Sequence, residues 1–210
     1  MYKFKIILFS IAVISGCVSM PDTETMLKNM YNVPSSGSSQ FDGTKYIRLS
    51  NMVCSNAVVF ELYQDSKKKK DGLVLLKAGS NSITNIGTGK SLLFKVDGED
   101  YSFSSVDSIT EHGELYFSQG ATIPFSYKTY LISEEFVRKA ALSNSLLTKM
   151  FLLNNSYIEG KCSPVTLREF QEHNKYLGVS VTQKDVDTGN KVAVIYGFKD
   201  FLNMSDSTSW

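Results

Sequence analysis

The chain of 210 residues carries 22 basic and 21 acidic residues, a formal net charge of +1. That balance lacks the basic bias of a nucleic-acid binder, and no nucleic-acid partner is expected. Thirteen Phe and eleven Tyr against four Pro, with many Val, Ile, Ser and Thr, favour sheet over helix.

The first feature in chain order is an export signal. Lys3 and Lys5 precede an apolar run from Ile6 to Val13, broken only by Ser10, and Ile14-Ser15-Gly16-Cys17 follows. A positive start, a short apolar stretch and small residues make a secretory signal peptide. The run is too short for a transmembrane helix, which needs roughly 20 apolar residues. Its Ser-Gly-Cys end resembles the lipobox of bacterial lipoproteins, over residues 1–17 only. The resemblance implies cleavage before Cys17, acyl chains on Cys17, and hence a membrane partner reached through the lipid. Val18 and Ser19 stand where an Asp would favour inner-membrane retention in Gram-negative lipoproteins. The implied location is the outer membrane, facing periplasm or surface. Without residues 1–16, 194 residues remain, enough for one sizeable core or two small ones. Loss of Lys3 and Lys5 leaves 20 basic against 21 acidic residues.

Residues 17–43 read as the lipidated N-terminus and a flexible tether, rich in Ser and Gly around Ser35-Ser36-Gly37-Ser38-Ser39. A short amphipathic turn around Met26-Leu27-Met30-Tyr31 interrupts it. A coil of residues 18–43 would hold the domain ~25–30 Å from its anchor. Residues 44–210 read as one globular domain. With Cys17 lipidated, Cys54 and Cys162 remain, and an oxidising envelope makes them a disulfide. Such a bridge constrains the unfolded chain by ~4–5 kcal/mol on chain-entropy grounds. It joins the N-terminal strands to the C-terminal segment, which favours one domain over two. The two cysteines lack any CxxC-type spacing, so neither a metal nor another cofactor is expected.

Strands are expected at Tyr46–Leu49, Val58–Tyr63, Leu73–Leu76 and Ile83–Ile86, with the turn Gly87-Thr88-Gly89 after them. The clearest hairpin is Leu92–Val96 with Glu99–Phe103, across Asp97-Gly98, which supplies the positive φ angles of a two-residue turn. Leu115-Tyr116-Phe117 and Ile123–Ile132 add strand. Ser133 caps a helix whose first turn carries Glu134 and Glu135, with Phe136, Val137, Ala140 and Ala141 on one face and a stop at Asn144. Leu146–Leu153 and Ser156–Lys161 pair around Asn154-Asn155. Ser163 and Pro164 predict the start of a second helix through Leu167, Phe170 and Leu177, ending at Gly178. Val179–Thr182 and Val192–Tyr196 read as a hairpin across Asp187-Thr188-Gly189-Asn190, and a short helix through Phe201-Leu202 closes the chain. The layout is α+β, a mostly antiparallel sheet with two helices in the C-terminal half. A β-sandwich decorated by helices is the alternative.

Each chemical motif has a plainer reading. Gly87-Thr88-Gly89-Lys90-Ser91 ends like a phosphate loop, but Thr84 stands where the first Gly belongs and a strand follows instead of a helix, so it reads as a turn. Glu111-His112-Gly113-Glu114 reads as a solvated loop, because neighbours on an extended chain point opposite ways. His173 reads as a surface residue on the polar side of the second helix. Only two histidines exist and no Gly-x-Ser-x-Gly elbow occurs, so an enzyme is not expected. Lys67, Lys68, Lys69 and Lys70 form the one dense charge feature. They read as a soluble hairpin tip, or as a contact for anionic headgroups or an acidic partner. Tyr116, Phe117, Phe125, Tyr127 and Tyr130 read mainly as core, with Tyr127 and Tyr130 on opposite faces because their spacing is odd. The expected function is a lipid-anchored, non-catalytic binding or scaffold domain for an envelope protein, assembly or cell-wall polymer. A periplasmic module for a sugar or lipid is the runner-up.

Overall fold

The computed structural model describes residues 30–116, 122–174 and 182–210. Cys17, Phe117, Leu177 and Gly178 lie outside them. Among the described residues ten strands form two sheets, and every strand pair is antiparallel. The protein is α+β, with sheet dominant.

The larger sheet has the order β1-β2-β3-β4-β8-β7. Its strands are β1 (Val33–Ser38), β2 (Lys45–Val53), β3 (Val58–Asp65), β4 (Leu73–Ser80), β7 (Glu111–Tyr116) and β8 (Thr122–Ser133). The smaller sheet has the order β10-β9-β5-β6. It consists of β5 (Leu92–Val96), β6 (Glu99–Phe103), β9 (Leu146–Phe151) and β10 (Tyr157–Lys161). Five helices complete the described chain: α1 (Ser66–Lys70), α2 (Glu134–Leu142), α3 (Leu167–Asn174), α4 (Gln183–Asn190) and α5 (Val194–Ser207).

One core joins the sheets. The inward face of β2, β3, β4 and β8 buries Ile47, Leu49, Phe60, Leu62, Leu76, Tyr130 and Ile132. Against it pack Leu92 and Phe94 of β5, Leu146 of β9, Phe136 and Val137 of α2, and Phe198 and Phe201 of α5. Phe136 is ringed by Phe94, Tyr101 and Phe103 at centroid distances of 4.8–5.2 Å. The alternation on β8 follows strand periodicity, with Ser126, Lys128, Tyr130 and Ile132 facing inward and Tyr127, Thr129 and Leu131 outward. Tyr130 has no exposure, and its hydroxyl is paired with Ser91 Oγ at 2.8 Å. The Cys54–Cys162 disulfide is formed, across 108 positions. It links the end of β2 to the residue after β10, and so one sheet to the other. Gly160 permits this approach, since a Cβ there would meet the Ser55 carbonyl oxygen at 2.7 Å.

Several elements depart from the sequence reading. Residues 33–38 are an edge strand, not tether: Pro34 is tolerated where no ladder bond is needed, and the Tyr46 ring covers Gly37. The turn after Asp65 contains α1, capped by the Asp65 carboxylate, which accepts from the Lys68 N–H at 2.8 Å. Ile83–Ile86 is loop, with one bridge from Ile86 to Leu152. Glu111–Glu114 belongs to edge strand β7. Helix α3 starts at Leu167 because Thr166 and Glu169 form a reciprocal cap, not Ser163. The largest correction is at residues 182–196. Thr182 and Asp185 form a capping box that starts α4, and the apolar run from Val194 continues into α5 instead of pairing as a hairpin.

Candidate binding surfaces

On the outward face of the six-stranded sheet Tyr63, Leu75 and Lys77 are half-buried and Leu131 is exposed, whereas Val59 and Phe125 are buried in a small cluster of their own. Cross-strand register brings Arg48, Tyr63, Leu75 and Leu131 into one row, and Glu61, Lys77 and Thr129 into the next. Tyr46 and Tyr63 stack at 5.8 Å between centroids. Arg48 Nη2 donates to both oxygens of Glu61, at 2.9 and 3.0 Å. Lys77 lies 4.4 Å over the Tyr127 ring, which stacks on Phe125 at 5.0 Å. The Tyr127 hydroxyl donates to Glu111 at 2.7 Å. That bond, helped by burial, pushes the Tyr127 pKa up to about 12. Leu131 is 41% exposed amid these groups. The face is aromatic and aliphatic, with Arg48 paired to Glu61 and Lys77 held over the Tyr127 ring.

A cleft of about 540 Å³ lies beside the disulfide. Val53, the Cys54–Cys162 bridge, Val165, Phe170, Val186 and Val192 supply its apolar wall. Most polar groups there are spoken for. Lys161 pairs with Glu169 at 2.7 Å, and that bond with the Thr166 N–H brings the Glu169 pKa down to about 2. Asn190 exchanges two hydrogen bonds with the Val165 backbone. Ser163 Oγ is the exception: it is buried and has no partner among the described residues. The Ser-Pro pair that suggests a helix cap in the sequence instead places a hydroxyl at the cleft wall.

The lysine run is half of an ionic clamp. Lys68 pairs with Asp65 at 2.6 Å. Lys69 reaches Glu134 at 3.0 Å and Asp206 at 3.1 Å. Arg138 closes the set on Asp206 at 2.7 Å and on Glu134. Beneath it, Gln64 has no exposure and bonds Glu134, the Leu73 carbonyl and Ser205. The clamp thereby ties α1, α2 and α5 to β3. Lys67 and Lys70 are exposed.

Ser126 and His112 meet at 2.9 Å, a pairing that invites a catalytic reading. The hydrogen bonds argue otherwise. Ser126 Oγ gives its one proton to the Ser82 carbonyl at 2.8 Å and accepts from the Thr84 N–H at 3.0 Å. His112 Nδ1 must therefore donate to it, and a protonated Nδ1 is no base toward that hydroxyl. Ser126 also has no exposure, so no substrate reaches it. The pair fastens loop 81–84 and β7 to β8. Gly87–Ser91 is a bent loop that leads into β5, with Gly87 donating to the Phe151 carbonyl and Ser91 to that of Gly89. No helix N-terminus stands there to hold phosphate.

Of the residues singled out in the sequence, Cys54 and Cys162 are joined, and Lys68 and Lys69 meet acids. Cys17 lies outside the described residues, and no helix among those residues is long and apolar enough to cross a membrane. Tyr130 is core, whereas Phe125 and Tyr127 face outward. The sequence alone does not mark Tyr46, Tyr63, Leu75 and Leu131 as a set. Period-two alternation marks each of them as facing one side of its own strand, but only the pairing of four strands shows that they share a surface. Comparison with protein-family models, curated proteins and solved structures finds no match to this chain.

Proposed function

We propose that the chain is a lipid-anchored envelope protein, acylated on Cys17, whose domain is a non-catalytic scaffold that binds another envelope protein. The observation that carries the binding reading is the row of Arg48, Tyr63, Leu75 and Leu131 on the outward face of the six-stranded sheet, with Leu131 41% exposed. It combines Tyr and Arg, residues enriched among interface anchors, with an Arg48–Glu61 ion pair that stays satisfied when water leaves. None of these residues lines the cleft beside the disulfide, and a small ligand needs a concave site, so a protein partner suits them better. The Cys54–Cys162 disulfide supports an oxidising compartment.

The test has two parts. Mass spectrometry of the membrane-extracted protein should find Cys17 as an acylated N-terminus; an intact Met1 overturns the anchor. A photo-crosslinking amino acid at Leu131 should form a discrete protein adduct in cells, and Leu75→Glu should abolish it. An adduct with glycan alone, or none, overturns the protein-partner reading. The runner-up, capture of a small sugar or lipid, is supported by the orphan Ser163 hydroxyl at the apolar cleft.

A further inference from the structure

The cleft beside the disulfide is assembled from distant parts of the chain: the end of β2, the residues after β10, and helices α3 and α4. They bring Val53, Val165, Phe170, Val186 and Val192 together around the Cys54–Cys162 bridge. Its volume of about 540 Å³ falls within the ~300–1,000 Å³ of sites that hold small molecules.

The polar groups on this wall define what fits. Lys161 donates to Glu169, which also accepts from the Thr166 N–H. Asp185 accepts from the Thr182 N–H and hydroxyl. Asn190 bonds the Val165 backbone twice, and the Asn56 amide donates to the Glu159 carbonyl. Ser163 differs from these. It is 3% exposed, and its Oγ has no partner among the described residues. A buried hydroxyl without a partner is costly, and a bound group that meets it removes the cost. A sugar, with a hydroxyl on nearly every carbon, would give up more hydrogen bonds to water than this wall returns. An aliphatic chain that ends in one hydroxyl brings one polar group to one unpaired hydroxyl, which can donate or accept.

Charge narrows the head group further. The wall carries one cation, Lys161, and two carboxylates, Glu169 and Asp185. Both carboxyls are held below their ordinary pKa, Glu169 by the Lys161 bond and Asp185 by the Thr182 bonds. They stay ionised at neutral pH and disfavour an anionic head.

We propose that the cleft binds a neutral long-chain alcohol, its chain against the valines and Phe170 and its hydroxyl on Ser163 Oγ. The site is separate from the sheet face and depends on neither that face nor the Cys17 anchor.

The test uses the full lipidated protein in phosphatidylethanolamine–phosphatidylglycerol vesicles, with a 1-decanol that carries an aliphatic diazirine. After irradiation, mass spectrometry should place the adduct within residues 163–170 or 186–193. Excess 1-decanol should suppress it, whereas glucose, or decanoate at about pH 9 where it is ionised, should not. Adducts elsewhere or none, or suppression by glucose or by decanoate equal to that by 1-decanol, overturn the proposal. Two variants test the residues. A Cβ at Gly189, on the cleft wall, meets nothing within 4 Å, so Gly189→Phe should keep the thermal midpoint and lose the adduct. Ser163→Ala should need about tenfold more probe for half-labelling, the loss of one hydrogen bond. Without probe its midpoint should hold or rise, because an unpaired group is gone. A lower midpoint, or unchanged labelling in either variant, overturns the assignment. Failure here with the Leu131 crosslink intact sinks the cleft alone, and the reverse result sinks the sheet face alone.

Discussion

Gly79 shows how tightly single residues set the open sheet face. A Cβ at Gly79 would lie 2.0 Å from the Ser126 carbonyl oxygen and 2.7 Å from the Phe125 ring. The first clash is with backbone, which cannot swing aside. At Gly113 on the neighbouring edge strand, a Cβ would sit 3.8 Å from the Tyr127 ring, an ordinary contact. Gly79→Ala should therefore destabilise the protein by about 1–3 kcal/mol, as overpacking does, and lower its thermal midpoint. Gly113→Ala should shift that midpoint little, and equal shifts in the two variants would refute the argument. Nothing in the sequence distinguishes these glycines, because the clash depends on a strand nearly 50 positions away. Asp97-Gly98 is legible for the opposite reason. Its demand is local: φ is 48° at Asp97 and 93° at Gly98, and few residue pairs tolerate both.

Elements with their signals inside themselves are the readable ones. Ser133 caps α2 as expected, accepting from the Phe136 N–H at 3.1 Å. The C-terminal helices hide theirs. Asp187-Thr188-Gly189-Asn190 looks like a hairpin turn, but it is the last turn of α4. Val194, Phe198, Phe201 and Ser205, all buried, recur at helical spacing once the window extends past Tyr196. What these helices contribute is tested at the clamp. Burial alone would raise the Glu134 pKa, but hydrogen bonds from Gln64, Arg138 and Lys69 outweigh it and hold the carboxylate below its ordinary value. A bond from Arg138 lowers Asp206 likewise. The unfolded chain binds these protons more readily, so the clamp's contribution is fully present above about pH 4.5 and is lost as pH falls through the depressed folded values. Glu134→Gln should cost about 1–2 kcal/mol at neutral pH, since its partners are partly solvated. It should also flatten the acid limb of a stability–pH profile from chemical denaturation. An unchanged acid limb would place the sensitivity elsewhere.

At the scale of the molecule, two sheets share one core, and the disulfide is the covalent tie between them. The cysteine pair is legible in the sequence because only two cysteines follow Cys17. What it joins is not legible, since the split of the strands into two sheets depends on long-range pairing. The tie stands where the two sheets approach each other, over Gly160, and it also forms one wall of the cleft. Breaking it therefore acts at two levels. Replacing both residues, Cys54→Ala with Cys162→Ala, frees a loop of more than 100 residues in the unfolded chain. It should reduce unfolding free energy by about 3–5 kcal/mol. The core residues Phe60, Phe94 and Phe136 remain in contact across the sheets, so the variant should still fold cooperatively at low temperature. Near the cleft the Ser55 hydroxyl, bonded to the Lys161 N–H at 2.7 Å, and the Asn56 amide, bonded to the Glu159 carbonyl at 2.8 Å, still hold the 54–57 turn on β10. Hydrogen exchange should consequently quicken most in α3 and α4, on the far side of the bridge from that turn, and least in β3, β4 and β8. Uniform loss of protection would mean that the bridge supports the whole core and not one corner of it.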